Sequence, residues 1–181
     1  MIPDDAEIAY EGKKFRIYRW EQDLYDGTKD VFEAVERKPS VQIIPVHNEK
    51  ILVTKEEQPH RGTFTGLVGG MGGFDEKPRK AAKRELLEET GYEAKDWEKL
   101  EKVELREGIH WDITYYIARD LEKRQEPNLD PGEKIQVKQL PYETFLRFTQ
   151  QDDFRSKYLQ QKIGSMNEED KNLFKKRIFK E

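Results

Sequence analysis

The stretch that most constrains this chain is residues 70–92, GMGGFDEKPRKAAKRELLEETGY. Its fixed points are Gly70, Glu76, Arg84, Glu85, Glu88, Glu89 and Gly91, with apolar Leu86 between them. On a helix turning about 100° per residue, Glu85, Glu88 and Glu89 fall within an arc of about 100°. Carboxylates crowded in this way repel by roughly a few tenths of a kcal/mol per pair, so something positive must compensate. A hard divalent cation suits the task, because Mg²⁺ takes oxygen ligands and is usually held by a few carboxylates plus substrate phosphates. Arg84 precedes Glu88 by one helical turn and can pair with it. Ala81 and Ala82 leave room for a bulky ligand. Gly91 suits the left-handed residue that closes a helix. Gly69, Gly70, Gly72 and Gly73 let the preceding backbone turn tightly and approach a ligand closely.

The pattern is Gly, five residues, Glu, seven residues, then Arg-Glu-apolar-any-Glu-Glu-any-Gly-apolar. It resembles the signature of the Nudix hydrolases, which cleave nucleoside diphosphates linked to another group. All seven fixed positions match, with Tyr92 at the last place where an aliphatic is usual. Seven fixed letters coincide by chance on the order of once in 10⁸ starting positions. The resemblance implies an α/β fold, a Nudix α/β/α sandwich with a mixed sheet, and Mg²⁺ as cofactor with Mn²⁺ as a substitute. It implies that Glu85 and Glu89 are primary metal ligands, joined by the carbonyl of Gly69. Glu88 is either a further ligand, bridging two metals, or a base acting on the attacking water. Gly70, the first box glycine, is placed at the substrate.

Outside the box the chain is most similar to the ADP-ribose pyrophosphatases. DPGEKIQV resembles their acidic loop before the last strand, which puts Glu133 in the place of a base and Asp130 beside it, with Pro131 where a carboxylate is frequent. Arg61, in KEEQPHRGTF, matches an arginine that meets phosphate in those enzymes, in a stretch one residue longer here. A departure lies at Gly66-Leu67-Val68-Gly69-Gly70, where Glu-Leu-Pro-Ala-Gly is usual, so that Gly66 replaces a ligand glutamate. Trp20 and Trp111 could stack on a nucleobase, since base–aromatic stacking tolerates many bases. Core packing or a dimer contact competes with that for each. His60 and His110 show no metal-ligand spacing and receive no role.

Along the chain, 1–13 reads as a polar lead-in, and 14–37 as an antiparallel hairpin turning at Asp26-Gly27. Strands follow at 41–46, 50–54 and 63–68, with Pro45 suggesting an edge or a bulge. The box helix runs from 78 to 90, Pro78 being acceptable in a first turn. Residues 97–105 and 111–119 read as strands, 120–133 as an exposed loop and 134–139 as a short strand. A helix opens at Leu140-Pro141 and ends at Gly164, with Phe145, Leu146, Phe148, Tyr158 and Leu159 as its apolar side. Ser165 and Glu168 form a capping box for a last helix over 166–179, whose stripe is Leu173, Phe174 and Ile178. The domain division is an N-terminal β-hairpin extension, 1–38, and a Nudix hydrolase domain, 39–181, with its box and C-terminal helices. The hairpin resembles the segment that pairs subunits in ADP-ribose pyrophosphatases, which implies a homodimer.

Of the residues, 39% are charged and 35% apolar, yet the apolar ones cluster in periodic runs, which argues for a folded core. The net charge of −4, with both signs interspersed, argues against broad nucleic-acid binding. With no cysteine, disulfide frameworks and cysteine zinc sites are excluded. MIPDDAEIAYEGKK has no apolar signal core and no run reaches membrane-spanning length, so a soluble cytoplasmic protein is expected. The function expected is Mg²⁺-dependent hydrolysis of the diphosphate linkage in a nucleoside diphosphate sugar such as ADP-ribose. The alternatives are a Nudix hydrolase of nucleoside triphosphates, dinucleoside polyphosphates or capped RNA, and a non-catalytic Nudix-like ligand sensor. A sensor would be expected to lose box carboxylates, and none is lost. There is no P-loop.

Overall fold

The computed structural model describes residues 2–181. Three antiparallel strands come first: β1 (Glu7–Glu11), β2 (Phe15–Asp23) and β3 (Lys29–Arg37), in that order in their sheet. The hairpin turns at Gly27, whose φ of 84° needs a residue without a Cβ. Residues 7–11, expected to be polar lead-in, instead pair along β2 from Glu7↔Arg19 to Glu11↔Arg16. Their polarity hid the strand because all five positions are exposed, so no burial imposes an alternating pattern.

The second sheet contains β4 (Ser40–His47), β5 (Lys50–Gln58), β6 (Gly62–Gly66), β7 (Tyr92–Leu105), β8 (Trp111–Lys123) and β9 (Lys134–Leu140). Its order is β6-β5-β4-β8-β7, with β9 on the other side of β5. β4 runs parallel to β8 and the other pairings are antiparallel, so the sheet is mixed. Neighbouring residues point to opposite faces, and each face has its own core. Val41, Ile43, Leu52, Tyr116 and Ala118 meet Ala81, Ala82 and Leu86 of helix α1 (Pro78–Thr90). Ile44, Ile51, Val53, Tyr115 and Ile117 meet the other layer. That layer is built by α2 (Tyr142–Thr149), α3 (Lys157–Gly164) and α4 (Glu168–Phe179). This is the α/β/α sandwich that the sequence led us to expect.

Pro45 sits inside this sheet, in a central strand, and not at an edge. β4 touches β5 only at Val46↔Ile51 and His47↔Lys50 before the two strands splay apart. The glycine loop fills the gap: Val68 O accepts from Ile43 N at 2.8 Å and Gly70 O from Val41 N at 2.9 Å. By alternation Pro45 faces the same side, where the splay begins, so its missing N–H breaks no regular ladder. β7 starts at Tyr92, β8 runs on to Lys123 and β5 to Gln58, all further than their apolar residues suggest, because backbone pairing extends past the buried segments.

The helix expected from 140 to 164 is two helices. Residues 150–156 leave the helical path to lie against β6, where Thr65 N donates to Asp153 O at 3.2 Å and Arg155 N to Thr65 O at 2.9 Å. Phe154 is fully buried there, edge-on to Phe148. Local periodicity cannot register this demand from a distant strand. The capping box of α4 is Asn167 with Asp170, not Ser165 with Glu168. Leu173, expected in the apolar stripe, is 58% exposed, while Phe174 and Ile178 are buried.

Candidate active site

The splay between β4 and β5 is closed at one side by α1, and a cleft of about 710 Å³ opens over it. α1 begins at Pro78, whose missing N–H costs nothing in a first turn, and stops at Gly91, with φ of 73° and its N–H on Leu87 O at 2.8 Å. A Cβ at Gly91 would lie 2.0 Å from Gln125 O, so close packing as well as conformation demands glycine. With Ala81, Ala82 and Leu86 turned into the core, Glu85 and Glu88 are left on the cleft side. Glu89 is nearly buried behind them.

Arg84 organises these carboxylates. Its Nη1 donates to Glu85 Oε1 at 2.8 Å and Glu88 Oε2 at 2.9 Å, and its Nη2 to Glu76 Oε2 at 3.2 Å and Met71 O at 3.1 Å. Burial works against its charge, but the bonds to Glu76, Glu85 and Glu88 outweigh that and raise its pKa. Glu89 Oε2 accepts from Gly69 N at 3.0 Å. A Cβ on Gly70 would fall 2.5 Å from the Glu85 carboxylate, so the box glycine keeps open the space in front of that group.

The carboxylates carry a cost that a cation would relieve. Burial pushes the Glu85 pKa up to about 7 against the pull of Arg84, with Glu88 and Glu133 adding repulsion. Glu89 is pushed well above the carboxylate range by burial first, then by Glu56 and Glu85. Glu133 is raised by burial and by Asp130. Buried oxygen donors whose ionised forms are disfavoured are the donor set that Mg²⁺ or Mn²⁺ fits. As they stand, no three of the His, Cys, Asp or Glu side chains among the described residues converge on one metal-sized point. Arg84 draws Glu85 and Glu88 to itself, so gripping an ion requires a rotamer change.

Of the residues singled out from sequence, Gly69, Gly70, Arg61, Glu85, Glu88, Glu89 and Glu133 all line this cleft, with Asp130 and Pro131. The loop 124–133 carries Glu133 there. It is tied to α1 by Asn128 N on Glu88 O at 2.8 Å, and Gln58 Nε2 donates to Glu133 Oε1 at 3.4 Å. Trp20 is not brought in: it lies on β2, 6.1 Å from Phe32 between ring centroids, and does not line the cleft. Trp111 has its ring face covered by the Arg37 guanidinium at 3.9 Å and its Nε1 on Ser40 Oγ at 3.2 Å.

Sequence reasoning missed Glu56, Arg155 and Arg37. Glu56 is 4% exposed, accepts from Thr54 Oγ1 at 2.8 Å and points into the cleft. Burial raises its pKa against the opposing effects of Thr54 and Arg155. The available signal was alternation: Leu52, Thr54 and Glu56 share one face of β5, so a strand continued past Thr54 places a carboxylate inward. A hollow of about 740 Å³ lined by His47, Asp96, Arg119 and Tyr142 is as large. Its buried Arg119 is already satisfied by Asp96, Glu98 and the carbonyl of Ile178, so that arginine offers no unmet charge to a ligand.

An acidic helix behind a glycine loop, facing arginines across a cleft in an α/β/α sandwich, defines a protein that handles phosphate-rich substrates. The comparisons agree with that class. A family model described as NUDIX domain matches residues 36–161. An ADP-ribose pyrophosphatase of Bacillus subtilis (strain 168) is 28% identical over 148 residues, 80% of each chain. A methanol dehydrogenase activator of Bacillus methanolicus is 27% identical over 147 residues, 79% of this chain and 80% of its own. The crystal structure of an ADP compounds hydrolase superposes with a TM-score of 0.68 at 20% identity, covering 89% of both chains. The chain belongs to the Nudix family, and with every box carboxylate and Arg84 in place it is a Nudix pyrophosphohydrolase.

Proposed function

We propose that this protein hydrolyses the diphosphate linkage of a nucleoside diphosphate sugar such as ADP-ribose, releasing a nucleoside monophosphate and a sugar phosphate. The observation that carries the reading is the cleft itself, with Glu85, Glu88 and Glu89 on one wall and Arg61 on the other. The name of the Bacillus subtilis relative points to the same substrate class. Glu85, Glu88, Glu89 and the Gly69 carbonyl would hold Mg²⁺. Once bound, the ion would neutralise phosphate oxygens and lower the pKa of a coordinated water.

The chain's own groups supply the rest. Arg61 presents a guanidinium fork to phosphate oxygens, and Gly70 lets the backbone approach. Glu88 or Glu133 accepts the proton of the attacking water while it adds to phosphorus and the bridging P–O bond breaks. Burial, and then Asp130, raise the Glu133 pKa, which makes it a better proton acceptor than an ordinary carboxylate.

The same reading takes residues 1–38 as an extension on a Nudix domain, 39–181, and makes the extension a dimer contact. Ile8 and Phe32 are exposed on one face of its sheet and Tyr10, Phe15 and Val31 on the other, and a second copy would cover one of these faces. Trp20 would then serve a base pocket across the interface. Residence in the cytoplasm is part of the proposal. No helix among the described residues is long and apolar enough to cross a membrane. The test is a hydrolysis screen with Mg²⁺ over nucleoside diphosphate sugars, dinucleoside polyphosphates and nucleoside triphosphates. ADP-ribose or a related sugar nucleotide should give the highest kcat/KM. A preference of tenfold or more for triphosphates or dinucleoside polyphosphates would overturn the reading.

A further inference from the structure

Three guanidiniums from separate parts of the chain meet in the cleft opposite the box carboxylates. Arg37 ends β3, Arg61 lies in the β5–β6 turn, and Arg155 lies in the connector between α2 and α3. They are close enough to act on one another: burial lowers the Arg37 pKa, and the positive charges of Arg155 and Arg61 lower it further. Arg37 is clamped against the face of Trp111, and its buried Nε has no hydrogen-bond partner. Of the three, only Arg155 has an ion-pair partner among the described residues, and that contact, Nη1 to Glu56 Oε2, is 3.8 Å. This is too long for a hydrogen bond, so the donors of Arg155 remain available to a ligand.

Arg155 is nonetheless well placed. Its backbone is tied to Thr65, its neighbour Phe154 is fully buried, and its guanidinium lies 5.3 Å from the centroid of the Phe64 ring. Glu56, which faces it, is itself held by Thr54. A Cβ on Gly66 would stand 3.7 Å from Glu56 Oε1 and 3.9 Å from the Arg155 Cβ. A Cβ there would already be in contact with both members of the pair, so only a longer side chain would enter the space in which they meet. Lys13 and Lys14, from the β1–β2 turn, line the same cleft. Like charges gathered with so little compensation are costly without a ligand of opposite sign, and planar guanidinium forks match phosphate oxygens in pairs.

We propose that Arg37 and Arg155 join Arg61 in a phosphate-gripping wall, with Glu56 as the positioning residue that aims Arg155, and that the wall takes the diphosphate oxygens facing away from α1. The wall recognises the pyrophosphate group as a class. It rests on the proposed diphosphate substrate only for what is attached to that group.

The test is calorimetric titration of the full chain with inorganic pyrophosphate in the presence of EDTA, so that the box carboxylates contribute no metal bridge. The wild type should bind measurably, and Arg155→Ala and Arg37→Ala should each weaken binding at least tenfold. Arg155→Lys should fall between, since it keeps the charge and loses the fork. Arg37→Lys, which keeps a cation over Trp111, replaces Arg37→Ala if the latter fails to fold, and should weaken binding at least threefold. Glu56→Gln removes a negative charge from the cleft. A merely repulsive Glu56 would then give tighter binding, whereas a positioning Glu56 gives weaker binding and a raised KM with kcat within about twofold. Absent binding by the wild type, unchanged affinity in Arg155→Ala or in the Arg37 variant measured, or tighter binding by Glu56→Gln overturns the proposal. Intact pyrophosphate binding with no cleavage of sugar nucleotides would leave the wall standing and remove only the proposed substrate.

Discussion

Replacing Glu85 by Gln should make the metal-free protein more stable at pH 8 and remove most of the stabilisation that Mg²⁺ provides. The Glu85 pKa is about 7 in the folded protein against an ordinary 4.5. The sign follows from which state holds the proton. Between those two values the folded protein keeps Glu85 neutral while the unfolded chain ionises it, so stability falls as pH rises through this window. Below about pH 4.5 the penalty is absent, and above about pH 7 it is complete. At 1.36 kcal/mol per pKa unit the shift corresponds to about 3 kcal/mol, an upper figure since relaxation and water reduce it. A neutral glutamine avoids that cost, from which the pull of Arg84 at 2.8 Å is already subtracted. A net gain of about 1–2 kcal/mol remains, which for a chain of this size is roughly 2–8 °C in melting temperature. Thermal melts in EDTA at pH 5 and pH 8 measure it, with a Mg²⁺ titration beside them. The variant should melt higher than wild type at pH 8, match it at pH 5, and respond less to Mg²⁺. A variant less stable than wild type at pH 8 without metal would refute the claim that burial and repulsion dominate at this site.

Three further outcomes follow from the site. Glu88→Gln should lower kcat by orders of magnitude at saturating Mg²⁺ with the melting temperature within a few degrees of wild type, and near-normal turnover would show the box helix to be misassigned. Glu133→Gln should lower kcat about 10²–10⁴-fold with a much smaller change in KM, the loss typical of a positioned base. Asp130→Asn and the double variant must be measured beside it, and unchanged turnover in the double variant would return that role to Glu88. Sedimentation at micromolar concentration should give a dimer, and replacing exposed Val31 and Phe32 by Ser should give monomers; a wild type that sediments as a monomer ends the interface proposal.

Residues 70–92 determined much of this protein by themselves. The helix runs from Pro78 to Thr90 as expected, because its start and stop depend on local features: a proline free of an N–H obligation and a glycine able to turn left-handed. The shared face of Glu85 and Glu88 and the reach of Arg84 to Glu88 are likewise helical geometry, written in the spacing. Strands with one buried face, such as β4 and the start of β5, were legible for the same reason. What the tertiary structure decided lies where a residue's fate depends on a distant partner. β1 exists because β2 offers it an edge. The break between α2 and α3 exists because Thr65 donates a hydrogen bond to Asp153 and accepts one from Arg155. Glu56 looked like one more solvated charge in KEEQ until pairing with both β6 and β9 carried β5 on to Gln58 and turned it inward. Only folding could bring Arg37, Arg61 and Arg155 into one cleft, because nothing in their local sequence sets the distance between them. Backbone periodicity acts over a few residues, whereas the meeting of charges across this cleft is set by how two splayed strands and a connector pack.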